Sequence, residues 1–164
     1  MKMKCDWMKT ATALLAGSMI VAPAQAGGDS ALREGERMIQ RCLDHATSQK
    51  ITPLSVAVID ASGTLVTFKR QDGASAATAE ASMLKARTAL RLNAPTAVLG
   101  EVAAADAPTR DAFLIMQMTT LPGGVPLAGK DGTVAGAVGV SGGSAEQDAE
   151  CAQQAVEPRP GKGR

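Results

Sequence analysis

From Ala31 to Ala46 the apolar positions Ala31, Leu32, Gly35, Met38, Ile39, Cys42, Leu43 and Ala46 fall three or four apart, with Arg33, Glu34, Arg37, Arg41 and Asp44 largely off that stripe. This period predicts an amphipathic helix over 30–49. Pro53 stops it, and Leu54-Ser55-Val56-Ala57-Val58-Ile59-Asp60 reads as a buried strand. Ala61-Ser62-Gly63 makes a tight turn. Residues 64–70 then alternate Leu65, Thr67 and Lys69 against Val66, Phe68 and Arg70, a second strand of the same hairpin with one wet face. From Ser75 to Leu92 the spacing of Ala76, Ala79, Met83, Ala86 and Leu90 is again helical, and Asn93 and Pro95 end it.

Residues 96–112 are rich in alanine and interrupted by Pro108, which predicts short helical turns. Phe113–Met118 reads as a third strand and Val125–Ala128 as a fourth. The loop Gly129-Lys130-Asp131-Gly132 leads into a fifth strand, Thr133–Val140. Ser144-Ala145-Glu146-Gln147 fits a capping box that opens a closing helix over about 145–157. Residues 158–164 offer nothing apolar to bury and are expected to form a disordered tail. Tight hairpins join antiparallel strands, so the fold class is α/β of the α+β kind, an antiparallel sheet of about five strands with packed helices, in one domain over 27–157.

The first 26 residues stand apart from that domain. Lys2, Lys4 and Lys9 precede an apolar run from Ala11 to Val21, followed by Ala24-Gln25-Ala26, the pattern of a secretory signal cleaved before Gly27. The run is too short to span a bilayer, which takes ~20 residues, so no membrane span is expected in the mature chain and a periplasmic or secreted location is. A start at Met8 instead of Met1 leaves the same mature chain. Removing residues 1–26 leaves 14 basic and 15 acidic residues, without the cationic surplus of a nucleic-acid binder. Phe68 and Phe113 are the aromatics that remain, too few to stack bases. Cys42 and Cys151 also remain, and two readings stand: a bridge between the first and last helices, or two small buried residues that never meet.

The segments Pro53–Ser75, Lys85–Ala89 (KARTA) and Gly123–Asp148 together resemble the GlcG/HbpS family, the haem-degrading or haem-binding domain family. The run Gly136-Ala137-Val138-Gly139-Val140-Ser141-Gly142-Gly143 followed by Asp148 carries most of that likeness. The resemblance implies a profilin-like or PAS-like domain that assembles into homo-oligomers. It also implies a link to haem, to corrinoid-related proteins or to loci for small oxygenated acids.

Candidate chemistry follows from particular residues. Ser141, Gly142, Gly143 and Ser144 stand between a strand and a helix N-terminus, where bare amides and the helix dipole suit a small anionic ligand; a tight turn would use the same glycines. Arg87 and Arg91, four apart on the second helix, project together and could clamp carboxylates such as haem propionates, although a solvated helix flank looks the same. His45, the single histidine, borders the apolar face of the first helix and is the candidate metal ligand for haem iron, with Met38 on the same side; a lone boundary histidine is ordinarily just solvated. Met116 and Met118 are further thioether donors, a type that usually packs. Nucleotide motifs are absent, and one histidine gives no triad. The reading is an exported small-ligand-binding protein for haem or a related tetrapyrrole. The alternative is an enzyme or accessory protein acting on small organic acids or aldehydes, or degrading haem.

Overall fold

The computed structural model describes residues 27–51, 53–129 and 131–157. The expected signal segment and the expected tail lie outside the described residues. In chain order the elements are α1 (Gly27–Ser48), β1 (Ser55–Asp60), β2 (Leu65–Arg70), α2 (Ala76–Leu92), α3 (Thr96–Ala105), α4 (Ala107–Ile115), β3 (Gly124–Ala128), β4 (Val134–Ser141) and α5 (Ala145–Val156). The fold is α+β, as the patterning indicates.

The strands form one antiparallel sheet in the order β2-β1-β4-β3, with Val58 opposite both Thr67 and Val138, and Val125 opposite Val138. Side chains alternate across it. Val56, Val58, Val138 and Val140 face α1 and α5, forming the main core with Ile39, Cys42, Leu43 and Ala152. Ile59 and Ala137 point the other way, against Ala86 and Ala89 of α2. Helix α2 lies flat on β4 because Gly139 has no side chain: a Cβ there would strike the Ser82 carbonyl and come within 2.6 Å of the Ala86 amide nitrogen.

The sheet has four strands where about five were expected. Phe113–Met118 is not a strand: α4 runs through Ile115, and Gln117, at φ 54°, turns the chain. The cause is local. Asp106 accepts a hydrogen bond from the Thr109 amide and Pro108 occupies the first turn, which nucleates a helix and carries it into the apolar run. A short apolar run has no period that separates strand from helix. The helical turns expected over 96–112 are the paired helices α3 and α4.

Two junctions follow the sequence reading closely. Ser75 caps α2 and Asn93, left-handed at φ 47°, ends it. The capping box of α5 has both halves: the Ser144 hydroxyl accepts from the Gln147 amide at 3.3 Å, and Gln147 Oε1 accepts from the Ser144 amide at 2.8 Å.

Cys42 and Cys151 form a disulfide that ties α1 to α5 across a sequence separation of 109, in a site with no solvent exposure, so the two cysteines do meet. Closing so long a loop contributes about 4–5 kcal/mol in the chain-entropy treatment. Cys42→Ala, Cys151→Ala and the double substitution are therefore expected to lower the thermal midpoint alike, by about 10 °C or more. Melting curves with and without reductant check this, and an unchanged midpoint would show that packing alone holds the two helices.

Candidate functional site

The turn after β4 gathers an anion, but the anion is the chain's own Asp148. Asp148 Oδ1 accepts from the Gly143 amide at 2.9 Å, while Oδ2 lies 2.7 Å from Lys85 Nζ, which also donates to the Val140 carbonyl at 2.9 Å. Both side chains are almost wholly buried, at 3 % and 5 % exposure. The pair joins α2, the end of β4 and the first turn of α5. Ser141 is buried at the strand end. Gly142 sits at φ 138°, and a Cβ there would stand 2.6 Å from the Pro53 carbonyl, so the turn needs glycine to pass that strand entry. The Ser144 amide is engaged by Gln147, and its hydroxyl donates to Glu146 Oε2. The glycine turn expected as an open cradle for an external anion thus has its Gly143 and Ser144 amides occupied from within.

Arg87 is elsewhere. Two residues along α2 from Lys85, it lies about 200° round the helix, so an inward Lys85 turns it outward. With Arg91, one turn on, it lines a cavity of about 370 Å³ between α2, the Ser62–Gly63 turn of the first hairpin and Gln117. Leu84 and Leu90 supply apolar wall, and among the described residues no acidic one lines the cavity. Arg87 has no hydrogen-bond or ion-pair partner among the described residues, whereas Arg91 Nη1 donates to the Met116 carbonyl at 3.0 Å. In the hairpin turn that carries Ser62, Asp60 accepts from the Ser62 hydroxyl and from the Ser62 and Thr64 amides. These bonds, the Ser62 hydroxyl first, hold its carboxyl below the usual carboxylate range. Like charges four apart on a helix repel by a few tenths of a kcal/mol, a cost that a bound carboxylate would reverse.

His45 lies on the far side of the sheet, in the seam between α1 and α5. Its Nε2 stands 3.5 Å from Glu150 Oε1, close enough for an ion pair when the ring is protonated, yet has no hydrogen-bond partner and is shut off from solvent. Next to it Arg41 donates through Nε and Nη2 to the Ala155 carbonyl near the end of α5. The candidate residues therefore occupy three separate places: the Ser141–Ser144 turn, the Arg87 cavity and the His45 seam. Sequence reasoning missed the Lys85–Asp148 pair. Its only signals were a lysine on the apolar side of α2 and an acid four residues after a helix cap. It also missed Ser62 and Gln117, which only the tertiary arrangement brings beside Arg87.

A family model described as haem degrading protein HbpS-like matches residues 31–157. This chain belongs to that family. Corrinoid adenosyltransferase PduO of Salmonella typhimurium is 32% identical over 120 residues, which cover 72% of this chain and 35% of PduO; the chain spans about a third of that curated relative. Among solved structures, a PduOC:haem complex superposes with a TM-score of 0.67 at 29% identity, covering 76% of this chain and 90% of the other. A double mutant of HbpS from Streptomyces reticuli gives 0.68 at 27% identity, covering 91% and 96%. The HbpS-like fold is thus matched over nearly the whole of the Streptomyces chain.

Removing one member of a buried ion pair strands the other, at ~3–5 kcal/mol. Lys85→Met is expected to lower unfolding free energy by about that amount, and Lys85→Met with Asp148→Leu by distinctly less than the two single losses combined. Chemical denaturation of the three variants checks this; strictly additive losses would mean that the pair is not coupled.

Proposed function

We propose that this protein is an exported tetrapyrrole-binding protein that takes haem, holding its propionates on Arg87 and Arg91. The unpaired Arg87 beside Arg91, in a cavity without an acid, carries the reading. Guanidinium forks suit carboxylates, and a site with two cations and no internal counter-charge suits an anion from outside. Family membership and the haem complex of a 29%-identical relative support haem as the anion's bearer. At about 370 Å³ the cavity has room for carboxylate arms but not for a whole macrocycle, so the ring lies outside it. The exposed Leu114 and Ile115 at the end of α4 offer apolar surface on that side of Arg91.

The disulfide supports an oxidising compartment, in keeping with the signal-like run at 11–21 and a periplasmic or secreted location. Exposed Val98 and Val102, one turn apart on α3, support assembly into a homo-oligomer. Among the described residues no helix is long and apolar enough to cross a membrane. A second reading rests on the size of the cavity: a compact carboxylic acid would fill it without needing the surface outside, as for an enzyme or accessory protein acting on small organic acids.

Haemin titrated into the protein is expected to give a saturable Soret shift at one site per chain or per subunit pair, and Arg87→Ala to weaken it by about 10–100-fold, the worth of one charge-assisted hydrogen bond. A spectrum indistinguishable from free haemin would overturn the haem reading. Glycolate stabilising the wild type but not Arg87→Ala, with haemin inert, would install the second.

A further inference from the structure

We infer that Gln117 is a ligand-binding residue of the Arg87 cavity, its carboxamide donating to the carboxylate that the two arginines hold; this rests on the carboxylate site proposed above. Among the described residues, those other than glycine with left-handed backbone are Lys50 at φ 54°, Asn93 at φ 47° and Gln117 at φ 54°. Each closes a helix, α1, α2 and α4 in turn, with the same pair of backbone bonds. The Gln117 amide donates to the Leu114 carbonyl at 3.0 Å and the Met118 amide to the Phe113 carbonyl at 2.8 Å. Lys50 and Ile51 donate in the same way to Thr47 and Ala46, and Asn93 and Ala94 to Leu90 and Ala89. Glycine is the residue best suited to this helix ending, with asparagine its usual substitute. Gln117 puts a long polar side chain where the backbone favours none.

The fold does not use that side chain. The Gln117 amide nitrogen is spent on Leu114, and the carboxamide has no hydrogen-bond partner among the described residues. Gln117 lines the cavity together with Arg87, Thr88 and Arg91. It is also fixed on both sides. Arg91 Nη1 donates to the Met116 carbonyl just before it, and the Thr119 amide donates to Thr88 Oγ1 at 3.1 Å two residues after it. The two side chains that tie this segment to α2 are thus themselves wall of the cavity, so a free donor is held there on main chain that is already ordered.

The chemistry of the lining singles Gln117 out as the neutral donor. The Ser62 hydroxyl donates to Asp60 Oδ1 at 2.6 Å, and Thr88 Oγ1 accepts from Thr119. A carboxylate offers about four lone-pair sites, more than one guanidinium fork fills. A carboxamide can take one of them without cancelling the charge of Arg87 and Arg91. A glutamate of the same shape would instead bring an internal acid to a lining that has none among the described residues.

Two readouts that move in opposite directions on the full chain test this: the thermal midpoint, and binding of metal-free protoporphyrin by fluorescence or of glycolate by calorimetry. Gln117→Gly is expected to raise the midpoint by about 3 °C and yet to weaken protoporphyrin binding by about tenfold, or glycolate binding if that is the acid the wild type takes. Lys50→Gly, at the opposite end of β1 from the Ser62–Gly63 turn, should raise the midpoint alike and leave binding unchanged. Gln117→Glu should weaken binding further than glycine does. Protoporphyrin dimethyl ester, which has no carboxylate, should not bind. If both Gln117 variants bind the acid as wild type does while the ester is refused, Gln117 is not a ligand contact and the carboxylate site stands. A lower midpoint in Gln117→Gly would make the side chain a part of the fold and overturn the inference. If wild type takes neither acid, or takes the ester as tightly as protoporphyrin, the carboxylate site and the Gln117 contact fall together.

Discussion

A lysine and an aspartate buried together at one end of the sheet set the orientation of everything around them. Lys85 Nζ holds Asp148 and the Val140 carbonyl at once, and Asp148 holds the Gly143 amide. Neither charge has water to fall back on, so each partner depends on the other. With Lys85 pinned inward, the helical repeat turns Arg87 and Arg91 outward. The same contact engages the Gly143 amide of the glycine turn from within. An internally paired cation and an outward one thus stand two residues apart on α2, and the pinning of the first decides where the second faces.

The sheet divides the molecule into two chemical territories. On one face α1 and α5 enclose the valines of β1 and β4 and are locked by Cys42–Cys151. His45, Glu150 and Arg41 lie in that helix seam, where Arg41 donates to the Ala155 carbonyl near the end of α5. On the other face a small-residue surface, Ala137 and Gly139 against Ala86 and Ala89, lets α2 sit close and leaves its outer flank free. The cavity on that flank is bounded by pieces far apart in sequence, the Ser62–Gly63 turn and Gln117, and its cations are not neutralised from within. The result is a cationic notch on the flank of α2, with the exposed Leu114 and Ile115 at the end of α4.

Much of the architecture was legible along the chain because it rests on short-range rules. The strands β1, β2 and β4, the Asn93 end of α2 and the capping box of α5 each depend on residues within a few positions of one another. The misjudged segment, Phe113–Met118, lacks such a rule. Six residues, four of them apolar between Gln117 and the chain before them, have no period of their own, and the deciding signal lay upstream in Asp106 and Pro108. That Arg87 and Arg91 project together was legible, since a spacing of four fixes it, whereas the outward direction of Arg87 was not.

What the sequence by itself determined is therefore the class of fold, the order of its elements apart from Phe113–Met118, the family, and which residues carry charge or sulfur. Only the tertiary structure decided which of these meet: that Asp148 claims the Gly143 amide, that Cys42 reaches Cys151, that His45 faces Glu150, and that Arg91 reaches the Met116 carbonyl. The physical reason is one of range. Helix phase, strand alternation and capping are set by backbone geometry over three or four residues, whereas a buried charge or thiol chooses its partner from whatever packing brings within about 3 Å, here 63 residues away for Lys85 and Asp148 and 109 for the two cysteines.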